Sequence, residues 1–133
     1  GGAMPGSLAG RRVLVAEDLY LVAMMVCETI TAGGGEVVGP YPSCEAAFAG
    51  LKEHRVDAAV LDIGLSDGYV FPLARRLRQQ GTPFLFLSGY DLSILPDEFA
   101  GVPCLLKPYD NDDLCSEVAS LLRSPAHAGA APL

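Results

Sequence analysis

The stretch Asp57-Ala58-Ala59-Val60-Leu61-Asp62 decides the fold: four apolar residues run without a break and stop on a carboxylate. A short apolar run without polar alternation suits a strand covered on both faces, as in a parallel sheet between two helical layers. The design recurs along the chain. Val13-Leu14-Val15-Ala16 runs into Glu17-Asp18, Pro83 to Leu87 runs into Ser88, and Val102 to Leu106 runs into Lys107. Glu36 to Gly39 reads as a further strand, ended by Pro40 and Pro42.

Helical spacing fills the intervals. Leu19, Val22, Val26 and Ile30 form one stripe on a helix over 19–32, which Gly33, Gly34 and Gly35 stop. Ser43 caps a helix to about His54, with Ala47 and Leu51 on one face. A turn through Ser66-Asp67-Gly68 leads to a helix ending near Gln80, with Pro72 in its first turn and Val70, Leu73 or Ala74, and Leu77 inward. Asp110, with Asp113 three residues on, opens a last helix whose apolar positions are Leu114, Val118, Leu121 and Leu122. Between Gly89 and Gly101 there is no room for a full amphipathic helix, and Pro96 interrupts what there is. The fold class is therefore α/β: a five-stranded parallel sheet with helices on both faces, the fourth helix short, displaced or missing.

Composition narrows the function. The chain has 133 residues, a formal charge of -7 and 50% hydrophobic residues, which suits one packed domain and excludes a disordered chain. An acidic chain without a basic stripe does not neutralise phosphates, so no nucleic-acid partner is expected. No stretch is long and apolar enough for a bilayer, so no membrane contact is expected either. Cys27, Cys44, Cys104 and Cys115 lack zinc-site spacing, and the absence of a signal-like segment points to a cytoplasmic protein with reduced thiols. Gly1-Gly2-Ala3 before Met4 resembles an expression scar. The expected division is a tail over 1–10, the domain over 11–123, and a flexible tail over 124–133.

Parallel strands bring their C-terminal ends to one rim, where open sheets of this kind bind ligands. Glu17 and Asp18, Asp62, Ser88 and Lys107 all stand at such ends. Three carboxylates at close range share protons or hold a cation, and Mg²⁺ suits their hard oxygens. Asp18 and Asp62 would bind it directly, Glu17 through water, and the Gly64 carbonyl would complete the protein ligands. Asp62 is placed to attack phosphorus and become an aspartyl phosphate. Lys107 binds one phosphoryl oxygen as a point charge, while the Ser88 hydroxyl and the Gly89 N–H donate to others. The added charge would draw in Ser88 and reposition the segment after Gly89.

With these residues in view, the chain resembles the receiver domain of two-component response regulators, a flavodoxin-like fold. The likeness covers roughly Arg12 to Arg123. It rests on Val13-Leu14-Val15-Ala16-Glu17-Asp18, Leu61-Asp62-Ile63-Gly64-Leu65-Ser66-Asp67-Gly68, Leu87-Ser88-Gly89 and Leu106-Lys107-Pro108-Tyr109. The resemblance implies Mg²⁺ at Glu17 and Asp18, phosphate taken from a histidine kinase by Asp62, and sensing of it by Ser88 and Lys107. Too few residues follow Arg123 for an output module, so the expected protein is a stand-alone receiver. It acts by protein contact or onward phosphotransfer and catalyses at most its own phosphorylation and dephosphorylation.

Pro83-Phe84-Leu85-Phe86-Leu87-Ser88-Gly89-Tyr90 is similar to the "FATGUY" signature of single-domain receivers, with Leu87-Ser88 in place of its Ala-Thr. That likeness implies a poorly formed fourth helix and a kinase of the HWE/HisKA2 type. The family often has an aromatic switch residue three positions before the lysine. Here Cys104 stands there, read as buried and inert, and Tyr90 is an alternative reporter. Leu21, Met24 and Met25 belong to a first helix too apolar to bury whole. They suggest a kinase contact or a weak homodimer, with a monomer equally open. Two other functions compete: a phosphorylation-independent interaction module, and a metal-dependent phosphatase with an aspartyl nucleophile. The second is weakened by Gly64, where such enzymes often place an acid.

Overall fold

The computed structural model describes residues 6–89 and 92–123. The sheet is built from β1 (Arg12–Ala16), β2 (Glu36–Tyr41), β3 (Ala58–Asp62), β6 (Phe84–Ser88) and β7 (Cys104–Leu106). Its order is β2-β1-β3-β6-β7, and every pairing is parallel. A two-residue ribbon, β4 (Gly64–Leu65) with β5 (Gly68–Tyr69), follows β3. The helices are α1 (Tyr20–Ala32), α2 (Cys44–Glu53), α3 (Phe71–Gln79) and α4 (Asn111–Arg123).

Two apolar layers sandwich the sheet. On one face α1 and α4 bury Val26, Ile30, Leu114 and Val118 against Val13, Val15, Val60 and Leu85. On the other, α2 and α3 bury Ala47, Leu73 and Leu77 against Leu14, Leu61, Phe84 and Phe86. Both faces of β3 and β6 are covered, which is why their sequences are apolar without alternation. Ser43 caps α2 by accepting from the Ala46 N–H at 3.0 Å. Asp67 adds a second cap from the ribbon turn, its two oxygens accepting from the Cys44 and Glu45 N–H groups at 2.8 and 3.1 Å.

The structure corrects four readings. The first helix begins at Tyr20, so Leu19 lies at the cap, outside the helical spacing, and is 57% exposed. The second strand does not stop at Pro40 but passes through it to Tyr41, with the Gly39–Pro40 bond cis. The fifth sheet strand starts at Cys104; Val102 packs into the core before it. Residues 6–10 pack rather than trail: Leu8 is fully buried, and its N–H donates to the Gly33 carbonyl oxygen at 2.9 Å. Residues 124–133, expected as a flexible tail, lie outside the described residues.

Between β6 and β7 there are two single turns of 3-10 helix, Leu92–Ile94 and Asp97–Phe99, in place of a helix. The exposed residues of α1 include Tyr20, Leu21 and Met25, while Met24 is half-buried.

Truncating a fully buried leucine costs about 2–5 kcal/mol. Leu8→Ala is expected to lower unfolding stability in urea by that order, whereas a free tail at this position would leave the midpoint unchanged.

Candidate functional site

Backbone pairing sets the site before any side chain is placed. Asp62 stands opposite Leu87, and Ser88 opposite Leu106, so β6 separates the strands that carry Asp62 and Lys107. The Lys107 N–H donates to the Ser88 carbonyl oxygen at 2.8 Å, extending the ladder to the rim. The Glu17 N–H is bound by the Tyr41 carbonyl oxygen at 2.9 Å, which holds the end of β1 beside the end of β2. The Lys107–Pro108 bond, whose isomer the sequence leaves open, is cis.

The Lys107 side chain returns across this rim and meets two carboxylates. Its ammonium group donates to Glu17 Oε1 at 3.2 Å and to Asp62 Oδ2. The other oxygen of each acid is held by the backbone: Glu17 Oε2 accepts from the Leu19 N–H at 3.1 Å, and Asp62 Oδ1 from the Gly64 N–H at 2.9 Å. Glu17 and Asp62 are 2% and 5% exposed, so little water screens them. Burial pushes the Glu17 carboxyl up to about 7, and contact with the Asp62 carboxylate adds to this. Burial also disfavours the Lys107 ammonium, but Asp62 and Glu17 outweigh it and leave its pKa above the ordinary lysine value.

Of the predicted acids, the structure joins Glu17 and Asp62. Asp18 is exposed at the rim, and among the described residues no three acidic, histidine or cysteine side chains form a ready metal-binding group. The expected convergence of three carboxylates is thus a pair with a lysine between, because Lys107 already supplies the countercharge. Ser88 is fully buried at the end of β6. Gly89 is exposed, and a Cβ there would lie 3.9 Å from Lys107 Cδ, an ordinary contact. Gly64 is half-buried in the ribbon. Cys104, expected to be buried, is half-buried, and its partial burial pushes the thiol up. Tyr90 lies outside the described residues.

Two residues that the sequence reading quoted without giving them a role belong to the site. Half-buried Tyr109 follows the Lys107–Pro108 pair; burial pushes its hydroxyl up, and Lys107, Glu17 and Asp62 all act on it. Its position directly after Lys-Pro was the available signal. Asp67 ties the loop after Asp62 to α2, and an Asp-Gly turn beside a helix start could have suggested a cap.

Arranged in this way, the rim can present a carboxylate oxygen to an electrophile and offer an ammonium group to the charge that arrives.

No family model matches the chain. Over 117 residues it is 30% identical to the two-component response regulator PhoP of Pseudomonas aeruginosa, an alignment taking in 84% of this chain and 52% of that protein. The chain therefore spans about half the length of that curated relative. It superposes on SdrG from Sphingomonas melonis Fr1 with a TM-score of 0.74 at 30% identity, covering 87% of this chain and 98% of that one. It also superposes on the response regulator TrrA from Thermotoga maritima, solved in complex with Mg²⁺ and BeF, with a TM-score of 0.74. That match is 21% identical and covers 84% of this chain and 99% of the other; it speaks for the fold alone.

The raised Glu17 pKa has a definite sign. Between the unfolded value of 4.5 and about 7 the folded chain binds the extra proton, so Glu17's contribution to stability is fully present below that window and is lost as pH rises through it. Thermal melts in metal-free buffer are expected to show a midpoint falling by a few degrees from pH 5 to pH 8, and Glu17→Gln flattening that slope. An equally steep slope in the variant would contradict the assignment.

Proposed function

Since the chain is a receiver domain of the CheY-like response-regulator kind, we propose that Asp62 accepts a phosphoryl group from a histidine kinase. The phosphorylated form then signals through protein contact or passes the group onward. The carrying observation is one lysine shared by two buried carboxylates at the ends of three parallel strands. Burying such a trio costs stability relative to an apolar rim, which favours a role in chemistry over one in holding the fold.

The chain's own groups define the steps. The Gly64 N–H orients the Asp62 carboxylate, whose oxygen attacks phosphorus as the P–N bond of the phosphohistidine breaks. The freed imidazole keeps the electron pair and takes a proton from water. Lys107 leaves the carboxylate for a phosphoryl oxygen. Ser88 and the Gly89 N–H, at the end of the intervening strand, donate to the oxygens that remain.

The donor set fits Mg²⁺: two hard carboxylates lie buried together with a single lysine as countercharge, and Glu17 is raised to about 7 for want of more. Glu17, Asp18 and Asp62 would hold the ion, with the Gly64 carbonyl. When bound, it supplies positive charge that offsets the repulsion between the carboxylate and an incoming phosphoryl group.

The finer assignment is a cytoplasmic receiver of the FATGUY type, paired with an HWE/HisKA2 kinase. Leu87-Ser88-Gly89 and the two short turns that replace a helix support it. Exposed Leu21 and Met25 on α1, with half-buried Met24, are the proposed kinase-facing surface, and Tyr90 and Cys104 the proposed switch positions.

Incubation with Mg²⁺ and phosphoramidate, followed by intact mass, is expected to add one phosphoryl group per chain and none to Asp62→Asn. A folded wild-type chain that takes no adduct would favour the interaction module. Many turnovers of the donor without an adduct would favour the phosphatase.

A further inference from the structure

The segment between β6 and β7 is held far more deeply at its second turn than at its first. In the second turn, Arg75 donates to the Glu98 carboxylate through Nε at 3.2 and 3.1 Å and through Nη2 at 2.8 Å. Arg78 Nη1 donates to the Glu98 carbonyl oxygen at 2.8 Å. Both guanidinium groups lie over the Phe99 ring, 5.7 and 5.0 Å from its centroid. The ring beneath them is fully buried. It stacks on Phe71 at 5.8 Å and meets Phe84 and Phe86 edge-on at 6.0 and 5.5 Å.

In the second turn, the N–H groups of Phe99, Ala100 and Val102 donate to the carbonyl oxygens of Pro96, Asp97 and Phe99 at 2.9, 3.1 and 3.0 Å. The first turn is closed by the Leu95 N–H on the Leu92 carbonyl oxygen at 2.9 Å and contains no buried residue. Ile94 and Leu95 are half-buried and Leu92 is exposed. Pro96 stands between the halves with its ring-fixed φ of -59°.

We propose that Phe99, roofed by Arg75 and Arg78, is a fixed post that confines the phosphorylation-linked rearrangement to Leu92–Leu95. This rests on Asp62 being the phosphoacceptor. An exposed ion pair holds little alone, so Arg75 and Glu98 act by keeping water off the ring rather than by charge attraction. Ser88 and Gly89 lie at the near end of the segment and the post at the far end. A pull at the phosphoryl group is then spent on opening the first turn.

Hydrogen exchange read by mass spectrometry tests this on the full chain, with and without phosphoramidate and Mg²⁺, with intact mass taken on the same samples. Phosphorylation is expected to change exchange several-fold in peptides covering 92–95 and to leave 97–102 unchanged. In the double variant Arg75→Ala, Arg78→Ala, phosphorylated to the same extent, the change is expected to spread into 97–102. An adduct accompanied by equal change on both sides of Pro96 in the wild-type chain overturns the post alone. So does unchanged confinement in the double variant. A chain that takes no adduct overturns the phosphoacceptor reading and this inference with it.

Discussion

One ammonium group between two buried carboxylates organises the functional end of this molecule. Lys107 reaches from the end of β7 across β6 to Asp62 and Glu17, and so ties the end of β7 to those of β3 and β1, which the backbone ladder holds apart from it across β6. In low dielectric the pairing is strong, and leaving any one member unpaired would be costly. The trio is therefore sensitive to added charge. A cation beside the acids or a phosphoryl group on Asp62 changes where the lysine is best placed. The backbone N–H groups of Leu19 and Gly64 keep the acids oriented while this happens.

The surrounding architecture localises the consequences. β3 and β6, covered on both faces, hold Asp62 and Ser88 in a rigid register. Asp67 fastens the loop after Asp62 to the start of α2. Beyond Ser88, the described residues of the next segment make two short turns, and the second is anchored through Phe99. A stiff sheet edge, one shallow turn and one deep anchor form a simple mechanical series. Receiver-type signalling needs such a gradient, because a local charge must be felt at a distance without loosening the core.

Much of this was legible in the chain itself. Apolar runs ending on Asp62, Ser88 and Lys107 gave both the parallel sheet and the rim, since side chains at parallel strand ends must converge. That the fourth helix is short, displaced or missing followed from Pro96 and from the limited length between Gly89 and Gly101. What could not be read was tertiary. Leu8 looks like part of a tail, and only the hydrophobic gap left by Gly33 and Gly35 beside α1 makes it a core residue. Asp18 reads as the more direct ligand in sequence, yet it is exposed, while Glu17 is buried on Lys107. Helical spacing placed Leu19 inside because it cannot tell a cap from a first turn. Arg75, Arg78 and Glu98 are polar letters whose joint work over Phe99 appears only once α3 is packed.

The central claim concerns where the Lys107 ammonium resides, and the composition of the chain makes it measurable. There are two lysines, Lys52 and Lys107, and Lys52 is exposed on α2. Nitrogen-15 NMR of the side-chain ammonium groups should show one slowly exchanging signal from Lys107. It should shift, without losing protection, when Asp62 is phosphorylated, and exchange rapidly in Asp62→Asn. A Lys107 signal that exchanges like Lys52, or one indifferent to phosphorylation of Asp62, would contradict the account.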